Sequence, residues 1–397
     1  MTRGPSGLLA AFALALAAAP ARPPGPADRQ ATIAALHRRA SASAPGTPEA
    51  QAVAGAMAAL AREDLDAGRP GPAAELLGEA YTLDEDNGLV LAELTLAHLA
   101  LGDAETSRFY LRRAEGRVSA GPPEVFAVLG DAYERLHRLD DAIAAWEAFA
   151  RFGGQDPEVL TRLRRARDEL AAARGQRSRD AGPFRIFADP AVDEETVAAA
   201  ADALSAAYAA QSTFFETELP APQIAVLYAG RAYFSLVSVP DWVTGAYDGK
   251  IRVSADPGGA DGRGVLTHEL AHAFVRYASG DRAPAWLHEG LAQWLEGRRM
   301  PRSRLAALLG TAGPAPSLAS LDARFAVRRT REEARVVYAQ ALSLVEHVVR
   351  VRGEGALVCV VRRLRGGEGL DEALRAETGM RERELFREWM TESGSPR

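Results

Sequence analysis

Cysteine is almost absent: the 397 residues contain one, Cys359. A single thiol can close no intramolecular disulfide and build no thiolate zinc cluster, so any metal here must be held by histidines and carboxylates. Cys359 lies in the apolar run ALVCVV, which reads as a buried structural thiol. Charge of one sign is also missing. Lys and Arg number 47 against 53 Asp and Glu, the net charge is −6, and the signs are mixed along the chain. That balance leaves no nucleic-acid footprint. Lysine is scarce beside arginine and alanine is abundant, which reflects genome composition. There is no GxSxG elbow and no Cys/His pair placed for nucleophilic catalysis, and GRGVLTH carries no phosphate-loop pattern. Beyond the N-terminus no apolar run reaches transmembrane length.

What is present supports a folded, multidomain protein. The length favours two or three domains, and 47% hydrophobic with 25% charged residues is ordinary for a globular chain. The N-terminus, MTRGPSGLLAAFALALAAAPARPPGP, has a positive Arg3, an apolar run from Leu8 to Ala19, and a small-x-small site at Ala19-Pro20-Ala21. The run is short for a membrane span, so residues 1–21 are expected to be a cleaved signal peptide. An exported protein follows, periplasmic or secreted from a bacterium, with no integral membrane span after cleavage. Residues 22–50 read as a linker with one possible helix, ATIAALHRRA.

From 51 to 174 the pattern is helical, alanine-rich and repetitive. Gly68, Gly102 and His137 line up at spacings of 34 and 35 residues. At fixed offsets after them stand Ala73, Ser107 and Ala142, then Leu77, Leu111 and Trp146, then Ala80, Ala114 and Phe149. Small residues at constant positions let paired helices approach closely. The pattern resembles the tetratricopeptide repeat, and about three units are near the minimum for a stable stack. Such repeats imply a concave surface for a segment of another protein. QRSRDAGP, across 175–182, reads as a linker. FRIFADP (184–190), QIAVLYA (223–229) and YDGKIRVSA (247–255) read as strands, the last preceded by a turn-like TGAYDG, with a long helix between about 192 and 217. From Gly264 onward the chain is almost all helix. The fold expected is therefore α+β: helical repeats, then a mostly helical domain over 183–397 with a small sheet.

Chemistry concentrates in HELAHAFV, residues 268–275. His268 and His272 stand four residues apart, about 400° of helical rotation, so both imidazoles leave one face a turn apart. That separation suits two nitrogens on one Zn²⁺ at about 2.0–2.1 Å. Glu269, next to the first histidine, is placed to take and return a proton beside the metal. Leu266, Leu270, Ala271, Ala273 and Phe274 make the helix apolar, and buried imidazoles with a buried glutamate are costly unless a metal pairs them. A catalytic zinc needs a third protein ligand and an open position.

Downstream lies PAWLHEGLAQWLEG, residues 284–297. His-Glu-x-x-His followed by such a Trp-Leu-x-Glu-Gly-x-Ala helix resembles the gluzincin zinc metallopeptidases, particularly the peptidase MA-like domains found behind tetratricopeptide repeats. The resemblance covers roughly 183–392. It implies that Glu289 is the third zinc ligand, that Gly290 lets the helix pack closely, and that Pro284 and Trp286 fix the helix start. It further implies that TGAYDGKIRVS is an edge strand above the zinc helix, able to pair with an extended substrate. Tyr338 stands where the family has a tyrosine, which suggests an oxyanion-stabilising role beside the catalytic Glu269. One departure concerns the position four after Glu289. Many gluzincins carry an Asp there to orient a zinc histidine; here it is Gln293, whose amide could accept the imidazole N–H without adding charge.

His288 is the rival ligand but points about 100° away from Glu289. A third histidine would resemble metzincins, whose Gly and His positions are Val275 and Ala278 here, so that class is excluded. His288 reads as a surface residue or a neighbour of the ligands. Glu296 shares the face of Glu289, either near the metal or as a surface charge. The expected activity is peptide-bond hydrolysis by an exported zinc enzyme, with the repeats recruiting a protein substrate or partner. On that view, deleting 51–174 spares cleavage of small peptides. The alternative from another class is a catalytically silent, zinc-bearing repeat scaffold of the cell envelope.

Overall fold

The computed structural model of the chain describes residues 26–66, 69–101, 103–117, 123–220, 222–230, 243–255, 262–312, 315, 317–325 and 330–392. The segment read as a signal, 1–21, lies outside the described residues, as do Gly68 and Gly102. Among the described residues no helix is long and apolar enough to cross a membrane.

Among the described residues eight helices come first: α1 (Pro26–Ala42), α2 (Pro48–Asp66), α3 (Pro70–Leu83), α4 (Gly88–Leu101), α5 (Ala104–Arg117), α6 (Pro123–Arg135), α7 (Leu139–Arg151) and α8 (Pro157–Ala172). They pack in sequence as the pairs α2/α3, α4/α5 and α6/α7, with α8 against α7. The repeat positions explain the pairing. Ala73, Ser107 and Ala142 are buried in the second helix of each pair, as are Leu77, Leu111 and Trp146, and Ala80, Ala114 and Phe149. In the third pair Gly130 faces Trp146, where any Cβ would collide with the indole. His137 ends α6 with φ 57°, the left-handed conformation that usually calls for glycine at this place. Asp156 starts α8, accepting from the Glu158 N–H at 2.8 Å ahead of Pro157.

A five-stranded sheet follows, built from β1 (Arg177–Ala181), β2 (Phe184–Ala188), β3 (Gln223–Tyr228), β4 (Gly245–Tyr247) and β5 (Ile251–Ser254) in the order β1-β2-β3-β5-β4. The β2–β3 and β3–β5 pairs are parallel, while β1–β2 and β4–β5 are antiparallel. Helix α9 (Glu194–Phe215) makes the crossover from β2 to β3 that a parallel pair requires. Strand alternation gives two covered faces. Ile186, Ala225, Leu227, Ile251 and Val253 join the core of α9 and the C-terminal helices. Ile224, Val226 and Tyr228 turn the other way, with Phe187, toward the repeats, where the rings of Phe187 and His137 meet at 4.3 Å, tilted by 56°.

The remaining helices are α10 (Gly262–Ser279), α11 (Ala285–Leu295), α12 (Arg302–Ala312), α13 (Leu318–Phe325), α14 (Arg331–Arg352), α15 (Glu354–Arg365), α16 (Leu370–Thr378) and α17 (Glu382–Glu392). Four sequence expectations need correction. The stretch 175–182 is not a free linker: Arg177–Ala181 pairs along the whole of β2. Within 22–50 the helix expected at ATIAALHRRA is present as α1, but it is not part of a linker, since Leu36 packs it into the core of α2 and α3. TGAY is not a turn but holds β4, with the reversal at Asp248-Gly249. Cys359 is only partly buried on α15.

Candidate metal centre

Helix α10 carries HELAH through the interior. Leu270, Ala271, Phe274 and Val275 are fully buried, and the Gln211 amide of α9 donates to the Thr267 carbonyl at 2.8 Å, fixing the turn before His268. Helix α11 is held at its first turn by Asp322, which accepts from the Trp286 N–H at 2.9 Å. Trp286 is fully buried beneath it. Gly290 brings α11 onto α14: a Cβ there would lie 2.5 Å from the Ala341 carbonyl oxygen and 2.6 Å from Val345 Cγ2. Close packing of these helices aims Glu289 at the two histidines.

The three side chains meet. His268 Nε2 is 3.5 Å from one Glu289 oxygen and His272 Nε2 is 3.8 Å from the other. The imidazole rings stand edge to face at 4.9 Å. Those separations are too long for hydrogen bonds. They fit atoms that share a cation, because two ligands about 2.05 Å from a tetrahedral zinc lie roughly 3.3 Å apart. Glu289 Oε2 and His272 Nδ1 are buried without a hydrogen-bond partner among the described residues, and an orphaned carboxylate oxygen beside two imidazoles is a donor set suited to a cation. The residues present therefore fit a divalent metal such as zinc.

Electrostatics point the same way. Burial holds His272 neutral, with its pKa lowered to about 3. Burial alone would also lower His268, but the carboxylates of Glu289 and Glu296 raise it to about 10. Burial, with Glu289 and Glu296 adding to it, raises Glu269 to about 8. Glu289 stays below the usual carboxylate range despite its burial, because His272 and His268 stabilise its charge. A proton on His268 thus stands in for positive charge that a metal would supply.

Around this triad each predicted residue has a definite place. Glu269 is buried against β4: a Cβ on Gly245 would lie 2.6 Å from its Oε1, so only glycine allows the strand so close. Strand β4 is the sheet edge and packs on α10. Tyr338, on α14, lies within electrostatic reach of the Glu289 and Glu269 carboxylates, and its ring meets Phe325 edge-on at 5.4 Å. Burial and the carboxylates of Glu289 and Glu269 raise its pKa well above 10, so its hydroxyl keeps its proton. His288 is not a surface residue: it is buried, with its ring 5.9 Å from that of His272, and burial lowers its pKa to about 3.

Gln293 does not orient a histidine. Its amide donates to the Glu289 and Tyr338 carbonyls, both at 3.0 Å, tying α11 to α14. Glu296 does so instead, 3.1 Å from His268 Nδ1, while Arg298 holds its other oxygen at 2.8 Å. A carboxylate can only accept here, which puts the proton on Nδ1 and leaves Nε2 free to face Glu289. The sequence signal was the shared helical face of Glu289 and Glu296, which alone could not separate this role from a surface charge.

The region that holds this site resembles one known family. Residues 235–393 match the model of the Peptidase MA superfamily. None of the curated proteins compared with the chain matches it. Among solved structures, the chain is similar to the TPR2AB-domain:pHSP90-complex of yeast Sti1, with 14% identity, coverage of 87% of this chain and 99% of that chain, and a TM-score of 0.25. The chain joins paired-helix repeats to a region that matches the Peptidase MA superfamily.

Proposed function

We propose that the chain is an exported zinc metallopeptidase in which His268, His272 and Glu289 hold the metal and Glu269 moves the proton. The observation that carries this reading is the convergence of both Nε2 atoms on the Glu289 carboxylate, with Glu269 buried beside them, inside a region that matches the Peptidase MA superfamily. Export rests on the sequence of residues 3–21.

Zinc at this site would supply Lewis acidity and a hydroxide nucleophile at neutral pH. The chain's own residues do the rest. The edge of β4 offers backbone N–H and C=O groups to an extended peptide, which would lie along α10 with its scissile bond near Glu269. Glu269, held by Gly245 on one side and α10 on the other, takes the proton of the attacking water and returns it to the leaving amine. Tyr338 keeps its proton and can donate to the oxyanion. Glu296 fixes the tautomer of His268. The repeats present a surface for a protein substrate or partner.

The test is cleavage of an unstructured protein such as casein after chelation and after zinc is restored. The expected result is about one zinc per chain, with cleavage lost on chelation and recovered on reloading. Zinc uptake without cleavage of any substrate would leave a silent scaffold, and no uptake would refute the site.

A further inference from the structure

Lys250 is the single lysine of the chain, and it is buried. Its Nζ lies 2.6 Å from Glu134 at the end of α6, 3.4 Å from His137 Nδ1 and 3.9 Å from Glu169 of α8. Two residues on, Arg252 is equally buried and grips Glu169 with two hydrogen bonds, at 2.6 and 3.1 Å. The same guanidinium donates to the Tyr228 hydroxyl at 2.7 Å and to Asp248 at 2.9 Å. His137 completes the cluster with Nε2 3.3 Å from the Gln176 carbonyl oxygen, so Nδ1 is left to accept from Lys250.

Arg252 comes from β5 and Lys250 from the residue just before it, and the acids and the imidazole that meet Lys250 come from the repeat helices and the turn after α6. Alternation turns Lys250 and Arg252 away from the α9/α10 core and toward the repeats. Buried charges are stable only when paired and geometrically matched, and removing one partner strands the other. The two-point bond from Arg252 to Glu169 also fixes direction. Strand β4 has just three residues and, among the described residues, pairs only with β5, through Gly245↔Val253, Ala246↔Arg252 and Tyr247↔Ile251. Its position therefore depends on whatever holds β5 and the Asp248 turn, together with its packing on α10. That strand is the one whose Gly245 backbone lies against Glu269.

We propose that Glu134, His137 and Glu169 of the repeat domain are positioning residues of the peptidase site: by holding Lys250 and Arg252 they set the β4–β5 hairpin over Glu269. The inference rests on the metallopeptidase reading for its catalytic consequence. The repeats then complete the cleft, and their loss abolishes cleavage of short peptides as well as of proteins. This reverses the expectation, drawn from the sequence, that the repeats are a separable recruiting arm.

The full-length protein carries its own probe, since Lys250 is the only ε-amine. Wild type, Glu134→Gln and Glu169→Gln would be compared by acetylation of Lys250 with an amine-reactive ester, by hydrogen exchange of residues 243–255 against α10, and by kcat and KM on a short unstructured peptide. The expected result is Lys250 acetylation and hairpin exchange faster by roughly tenfold or more. The α10 amides and zinc content should be unchanged, and KM should rise by more than kcat falls. Glu134 is partly exposed, so its variant remains informative should Glu169→Gln fail to fold. Hairpin exchange equal to wild type in a folded variant would overturn the proposal. So would a loss of protection spread evenly over both domains, which marks a purely structural contact. A wild type that binds zinc and cuts nothing would sink the peptidase reading, whereas the hairpin measurement would still decide whether the repeats hold β4.

Discussion

The Nδ1 proton of His268 is directed at Glu296, 3.1 Å away and just past the end of α11. The carboxylate that orients this ligand therefore comes from the helix C-cap, and the amide at Gln293 does a different job. Glu296→Ala should weaken zinc binding by about 10–100-fold, measured by titration against a competing chelator. Gln293→Ala should leave zinc affinity near wild type and instead lower the melting temperature, because its amide ties α11 to α14. If Gln293→Ala is the variant that loses zinc, the assignment is reversed.

Gly245→Ala tests the closeness of β4 to the proton carrier. The added Cβ would lie 2.6 Å from Glu269 Oε1 and 2.5 Å from Val265 Cγ1, so strand or carboxylate must shift. Displacing a reacting group on this scale costs on the order of 100-fold in kcat. Zinc content should not change, since no metal ligand is touched. A variant with full activity would place the substrate and its proton chemistry elsewhere.

Gly290→Ala probes the seat of Glu289. Its Cβ would meet the Ala341 carbonyl at 2.5 Å, and backbone on a packed helix cannot yield as a side chain can. Overpacking of this kind costs about 1–3 kcal/mol. Chemical denaturation should show that loss together with weaker zinc binding, because α11 carries the ligand. An unperturbed variant would mean that α11 is free to move away from α14.

His137 gives the junction a pH signature. Burial and the nearby Lys250 lower its pKa from 6.5 to about 4 in the folded chain, while Glu169 and the Gln176 carbonyl favour the protonated ring only partly. Between those values the unfolded chain binds a proton that the folded one does not, so this contribution is present above pH 6.5 and is lost as pH falls toward 4. Glu93, raised to about 7 by burial, acts in the opposite sense elsewhere in the repeats, so total stability alone is not diagnostic. The difference in unfolding free energy between wild type and His137→Asn isolates the group, since Asn also tolerates the left-handed backbone. That difference should shrink from pH 7 to pH 5; a constant difference would mean that His137 is not buried neutral against Lys250.

Local periodicity made much of this legible. The four-residue spacing in HELAH and the register of WLHEGLA each live on one helix, so sequence alone puts their side chains on a face. The turn of the third pair was legible for the same reason, and His137, which the sequence aligns with Gly68 and Gly102, occupies a left-handed position. The missed features depend on what packs across from a residue. RSRDA has no apolar alternation because β1 is a solvent-exposed edge, so it read as a linker. Lys250 and Arg252 look like the wet side of a half-buried strand, and only the repeat helices make that side dry. Gln293 and Glu296 were both near the right face of α11, and the choice between them lay with α10 and α14.

The most direct test of the whole account is Glu269→Gln beside wild type, with bound metal and cleavage of an unstructured substrate measured on the same preparations. The account predicts about one zinc per chain in both, cleavage by wild type, and a rate at least about 100-fold lower in the variant, because the amide can no longer carry the proton. A variant that cuts at the wild-type rate, or a wild type that cannot be loaded with zinc, would contradict it.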